Sequence, residues 1–251
     1  MPASRLPARL DLMQSASGVF LALFMWLHMF FVSSILLGKD AFWHVARFFE
    51  GYHIFGKPYP ILVSGVALFV FAMFIFHAAL AMRKFPADYR EYSAFRKHAG
   101  ELKHGDTTLW FVQVYTGFAM FFLGSVHLYT MMTRPESIGP YGSADRVVTD
   151  WFWPLYLLLL FAVELHGSIG LYRVAVKWGW LEGRNPAATR RKMKRAKWLI
   201  TVFFLTLGLL SLAAYIKIGI EHRDDYRDDY RDNRGEHYVP PSVEESLESR
   251  Q

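Results

Sequence analysis

Apolar residues dominate five long runs of this chain, and the ionisable residues are gathered between them. The runs lie at Ala16 to Leu37, Pro60 to Met82, Leu109 to Met132, Pro154 to Tyr172 and Trp198 to Ile216. As helices rising about 1.5 Å per residue, each can cross a hydrocarbon core of about 30 Å with help from flanking residues. Bilayer-spanning strands alternate apolar and polar positions, and the unbroken apolar stretch from Ile61 to Phe76 does not. The pattern therefore predicts an all-α integral membrane protein with five transmembrane helices. The N-terminal segment is too polar, and the first span too long, for a cleaved signal peptide, so that span is expected to remain.

Composition sharpens this reading. Hydrophobic residues make up 53% of the 251, and there is no cysteine. That excludes disulfides, Cys-ligated iron–sulfur clusters, thiolate zinc sites and covalent haem attachment through Cys-x-x-Cys-His. No phosphate-loop or nucleophile motif is present. The net charge of +6 invites a nucleic-acid reading, but positive charge concentrated beside apolar spans is a topology signal. Lys and Arg number 2 before the first span, 6 in the Arg83 to Asp106 loop and 9 in the Arg173 to Lys197 loop, all on one side. The other side holds 3, 2 and 6, the last 6 in a tail with 10 acids. The positive-inside rule then puts the N-terminus in the cytoplasm and the C-terminus outside. A membrane domain over 1–219 and an acidic, flexible tail over 220–251 follow, since the repeated Arg-Asp-Asp-Tyr and Pro240-Pro241 leave little to pack.

Four of the ten histidines, His28, His77, His127 and His166, fall within spans one to four, one to a span. A single intramembrane His is often an interhelical hydrogen bonder. Four distributed in this way also fit axial ligation of haem iron, because a four-helix bundle with facing imidazoles can hold two macrocycles. Depth sorts the pairs. Counted from the cytoplasmic ends, His77 lies roughly 8 Å deep and His166 roughly 9 to 15 Å, against roughly 18 Å for His28 and 27 Å for His127. The pairs His77/His166 and His28/His127 would then be centred roughly 10 to 13 Å apart along the membrane normal. Gly117, Gly124, Gly167, Ser168 and Gly170 leave room for a flat macrocycle or, equally, for close helix packing.

Two acids stand out. Glu164 is the acid within the five spans, where an ionised carboxylate is costly, so it is expected to be protonated or paired for part of its cycle. It lies about 200° around the helix from His166, so the two do not face the same way. Glu50, between Trp43, Phe48, Phe49 and Tyr52, reads from sequence as a solvated acid on an interfacial amphipathic segment.

The four His, at spacings of 49, 50 and 39 on separate helices with a fifth helix lacking His, resemble the di-haem cytochrome b membrane subunit of quinol:fumarate reductase. That family belongs to the succinate:quinone oxidoreductases, and the match is to the single-subunit, five-helix type. The likeness runs through span five and leaves out the acidic tail. It implies a bundle of the first four helices around two non-covalent b haems, with the fifth helix peripheral. It also implies menaquinol or menaquinone as substrate, and a flavoprotein and an iron–sulfur subunit docked on the cytoplasmic face of a bacterial inner membrane. A dimer of such heterotrimers is compatible with it. Electrons would pass between quinone and the partner subunits, for fumarate reduction or succinate oxidation.

Residue by residue, the resemblance implies that Gln14, Ser15, Trp110 and Lys177 hold propionates of the cytoplasmic-side haem, with Arg146 serving the outer haem. Propionates are anions that need donors where the bilayer core meets water; the alternative is that Lys177 snorkels and Trp110 belongs to the interfacial belt. Glu50 matches the acceptor of protons from menaquinol, and Glu164 a transmembrane proton relay. The competing readings are the di-haem subunit of another quinone-linked oxidoreductase, and a haem-free anchor or transporter.

Overall fold

Backbone in a bilayer has to satisfy its own hydrogen bonds, and the apolar runs do so as helices. The computed structural model describes residues 5–101, 105–228 and 239–243. In chain order it contains α1 (Leu6–Val32), a 3-10 turn at Ser33–Leu37, the short α2 (Lys39–Phe49) and α3 (Tyr52–Phe55), and α4 (Ile61–Met82). Then come the connecting α5 (Tyr89–Glu101), α6 (Gly105–Thr133), a 3-10 turn at Pro135–Ser137, α7 (Pro140–Val148), α8 (Trp153–Lys177) and α9 (Pro186–Asp228). No strand occurs among the described residues. Pro lies in the first turn of α1, α7 and α8, where the N–H it lacks has no helical acceptor anyway.

Five stretches, Leu6–Leu37, Ile61–Met82, Gly105–Thr133, Trp153–Lys177 and Pro186–Arg223, are long and apolar enough to cross a membrane. All the expected spans are present, and four of the helices run beyond their apolar cores. In α9 the extra N-terminal turns are rich in Ala, Arg, Lys and Met, all strong helix formers, so the helix begins well before Trp198. At its other end α9 passes residue 219 without a break and continues to Asp228. Pro240 is fully buried; most of the remaining tail lies outside the described residues.

Burial is inverted relative to a protein in water. Leu199 and Phe122 are 73% and 68% exposed, while Ser17, Ser168, Thr201, Ser211, Arg146 and Glu164 are buried. Lipid tails are as apolar as Leu, so apolar side chains gain nothing by leaving the surface, and polar ones pair between helices. Thr201 Oγ1 donates to Ser168 Oγ at 2.7 Å, and Ser33 Oγ and Ser211 Oγ are hydrogen-bonded at 2.9 Å. Ser64 Oγ donates to the Met132 carbonyl at 2.8 Å.

The packing order gives the bundle its function-bearing geometry. Neighbours are α1 with α4, α4 with α6, α6 with α8, and α8 with α1, a closed ring of four. Helices α1 and α6 therefore face each other across one diagonal, and α4 and α8 across the other. α9 packs outside this ring against α8 and α7. It is peripheral, yet Gly208, Ser211, Leu212 and Tyr215 reach the ring's interior as part of one wall.

Candidate functional site

Between the helices of the ring lies a half-open cavity of about 1280 Å³, lined by all four intramembrane histidines. That exceeds the roughly 300–1,000 Å³ usual for one small-molecule site. The histidines meet in two pairs, each across a diagonal. Ring centroids of His77 and His166 are 6.4 Å apart, and those of His28 and His127 are 6.1 Å apart. Two imidazoles trans on one metal, with about 2 Å to each nitrogen and about 1 Å more to each ring centre, put their centroids about 6 Å apart.

The pairs lie at opposite ends of the cavity. On α1, Gly18 touches His77 and the other pair's His28 follows ten residues later; on α8, Tyr156 touches His127 and His166 follows ten residues later. At about 1.5 Å per residue, both helices put the pairs about 15 Å apart.

The imidazoles are held by their surroundings. Ser17 Oγ is 3.0 Å from His77 Nδ1, and His166 Nδ1 donates to the Gln113 carbonyl at 2.8 Å. A ring with Nδ1 so engaged presents Nε2 to a metal, the usual arrangement of an oriented ligand. His127 Nδ1 is buried without a hydrogen-bond partner. Glycines on the opposite diagonal make space for the rings. A Cβ on Gly18 would lie 2.8 Å from His77 Cε1, and one on Gly117 would lie 2.9 Å from His166 Cε1. At Gly124 and Gly167, by contrast, an added Cβ would meet only Phe74 at 3.7 Å and Met25 at 3.6 Å, ordinary packing distances. Thus the small residues divide between the two roles left open by the sequence.

Gln14, Ser15, Trp110 and Lys177 line the cavity near the His77/His166 end. Gln14 Oε1 is buried without a partner, whereas Ser15 Oγ accepts from Trp178 Nε1 at 3.0 Å. Trp110 packs on Phe95 with ring centroids 4.8 Å apart. Lys177 Nζ pairs with Asp11 at 2.9 Å, and Arg83 and Lys84 reach the same carboxylate at 2.8 Å. Three cations converge on one acid, leaving an excess of positive charge at this mouth. At the other end, buried Arg146 bonds to the Ser137 carbonyl at 3.0 Å and to Ser137 Oγ at 2.5 Å, with no carboxylate partner among the described residues. Both ends fit anionic groups on a bound macrocycle. Sequence reading missed Ser17, Gly18, Asp11 and Gln113; the first two were legible as the helical stripe Gln14, Ser17, Gly18, Leu21, Met25, His28.

The two acids behave differently from each other. Glu50 is fully buried and ion-paired with Arg47, so its reading as a solvated surface acid is overturned. The cause is local: Gly51, at φ +76°, turns the chain after α2, and Glu50 ends up beneath Arg47, whose guanidinium lies over Trp43. Glu50 Oε1 has no partner. Burial pushes its carboxyl above the usual carboxylate range, against the opposing pull of Arg47. Glu164 is also 0% exposed, with both oxygens unbonded, but it does not line the cavity. It faces the other way, beside Trp26, whose indole stacks on Phe204 of α9 at 5.4 Å. Of the remaining loop histidines, His44 and His53 stack at 5.9 Å.

Fold and site together define a multi-pass helical membrane protein with paired histidines in its interior. A family model described as "Succinate dehydrogenase/Fumarate reductase transmembrane subunit" matches residues 89–209. The "Fumarate reductase cytochrome b subunit" of Wolinella succinogenes is 59% identical over 221 residues, covering 88% of this chain and 86% of that protein. Proteins of the same name from two Helicobacter pylori strains are 54% and 53% identical over 218 residues, covering 87% of this chain and 84% of each relative. The chain belongs to the fumarate reductase cytochrome b subunits, the membrane subunits of quinol:fumarate reductase.

Proposed function

We propose that the chain holds two non-covalent b haems and links menaquinol to fumarate reduction, or succinate oxidation to menaquinone, in partner subunits. His77 and His166 would hold the haem nearer the cytoplasm, and His28 and His127 the outer one. The observation that carries this reading is the pair of centroid separations, 6.4 and 6.1 Å, each matching two imidazoles on one iron. Bound there, the haems supply one-electron transfer through the bundle.

The remaining work falls to side chains. Gln14, Ser15, Trp110 and Lys177 receive propionates at the cytoplasmic mouth, and Arg146 does so at the outer end, where charge-assisted hydrogen bonds are strong. Glu50, beside the outer pair's end of the bundle, accepts the protons that menaquinol gives up and passes them to the outer compartment. Arg47 keeps that carboxylate ionisable in a buried place. Moving one charge against 100 mV costs about 2.3 kcal/mol, and Glu164 relays a proton that offsets it. The two cationic loops, with 15 Lys and Arg between them, lie on the cytoplasmic side of a bacterial inner membrane and dock the flavoprotein and iron–sulfur subunits. Such complexes would pair as a dimer of heterotrimers. The C-terminal segment from residue 220 is an acidic extension on the outer side.

Haem-to-chain stoichiometry tests the proposal. The purified complex should carry two b haems per chain; His77→Ala or His166→Ala should affect one spectral component, and His28→Ala or His127→Ala the other. One haem per chain, or four variants with unaltered spectra, would refute it.

A further inference from the structure

We propose that Ser17 is a positioning residue for His77, holding its ring as an Nδ1–H donor with Nε2 toward the haem, and so setting that centre's midpoint potential. The proposal rests on the assignment of His77 and His166 to one haem. Ser17 is 3% exposed, and its Oγ makes two contacts, 3.1 Å to the Gln14 carbonyl and 3.0 Å to His77 Nδ1. A hydroxyl has one hydrogen. The carbonyl can only accept, so that hydrogen goes to Gln14, and Oγ is left to accept from His77 Nδ1–H, which the Gln14 carbonyl also reaches. The result is a directed chain, imidazole to hydroxyl to main-chain carbonyl, which keeps Nε2 free of a proton.

Helix serines often bond back to the carbonyl three or four residues earlier. That habit explains the contact with Gln14 but not the meeting with a ring sixty residues away on α4. The adjoining Gly18 explains the close approach, since the His77 ring sits where a Cβ would be. One residue therefore supplies the space and its neighbour the hydrogen bond. Among the described residues, Ser17 is the side chain that bonds an imidazole of the two pairs, beside the Gln14 carbonyl; His166 relies on main chain alone, and His127 Nδ1 has no partner.

An acceptor on Nδ1–H raises the basicity of the ligating nitrogen, and loss of such a partner typically costs about 10- to 100-fold in metal affinity or activity. A more basic ligand favours the oxidised metal. Ser17→Ala should thus shift the cytoplasmic-side centre toward its reduced form by about tenfold, which for one electron is a rise of about 59 mV.

The test is a potentiometric titration of the whole complex, followed by the b-haem spectrum, for wild type, Ser17→Ala and Ser17→Thr. The expected result is one component raised in Ser17→Ala, the other unmoved, and the wild-type potential regained in Ser17→Thr. Selective loss of the cytoplasmic-side haem in Ser17→Ala, with Ser17→Thr retaining it at the wild-type potential, would support the same role. Unchanged potentials in Ser17→Ala, equal shifts of both components, or a Ser17→Thr variant behaving as Ser17→Ala would overturn it. If wild type itself lacked two titrating components, the ligand assignment rather than the role of Ser17 would have failed.

Discussion

Gly18 and Gly117 give the sharpest test of the way the cavity is built. Alanine at either position is the smallest chemical change, and on a helix it ordinarily stabilises by removing backbone entropy. Here the added Cβ would lie 2.8 Å from His77 Cε1 or 2.9 Å from His166 Cε1, while ordinary contacts begin near 3.4 Å. Each ring must therefore retreat by about 0.5 Å or more, which already reaches the tolerance of about 0.5 Å for a preorganised ligand. Overpacking of this kind costs about 1–3 kcal/mol, so haem affinity at the His77/His166 site should fall roughly 5- to 150-fold. Gly124→Ala is the matched control, because its Cβ would meet Phe74 at 3.7 Å. The assay is haem-to-chain ratio and reduced-minus-oxidised spectrum during titration of the purified complex with a competing haem-binding protein. Gly18→Ala and Gly117→Ala should weaken one and the same component, and Gly124→Ala neither. Wild-type affinity in both, or equal damage from Gly124→Ala, would show that these glycines do not make room for the ligands.

Three further outcomes are expected. Glu50→Gln should abolish quinol oxidation while both haems bind and fumarate reduction with an artificial donor persists, measured as paired activities on one preparation. An acceptor must be ionised, and the pKa of Glu50 is raised, so quinol oxidation should climb with pH through that raised value. Arg47→Gln removes the opposing cation and should move the climb to higher pH, whereas an unmoved profile would discount the pair. Arg146→Gln should leave the His77/His166 component unaltered and lower the potential or the occupancy of the outer one, since it removes a buried cation there; potentiometry reads both.

The sequence exposed the fold because the bilayer leaves few choices: apolar runs of sufficient length become helices, and one His per run marks the inward stripe. The pairing of the histidines was legible from depth alone, since residue counts along straight helices convert to height. What stayed hidden was what depth does not encode. The ring order of α1, α4, α6 and α8 decides that the pairs span diagonals, and it comes from side packing. Glu50 looked solvated because its neighbours form an amphipathic segment; only the left-handed turn at Gly51 and the placement of Arg47 bury it. Ser17 and Gly18 resembled ordinary membrane small residues, and their partner His77 is distant along the chain.

Glu164 and His166 are two residues apart, yet they occupy different surroundings, and this separates two kinds of charge transfer. His166 points into the cavity, while Glu164 shares the opposite face with Ser168, against Trp26 and α9. Neutralising Glu164 therefore changes a side chain that lines neither the cavity nor the histidine pairs. Glu164→Gln should keep the wild-type spectrum and ligand set. If the acid relays a proton, the same variant should slow quinol-linked turnover in proteoliposomes and alter the charge moved per electron, with a protonophore separating the two effects. Normal turnover with unchanged charge movement would leave Glu164 as a buried structural acid. A disturbed haem spectrum would instead contradict the orientation of the side chain, and with it the division of α8 into an electron-bearing face and a proton-bearing one.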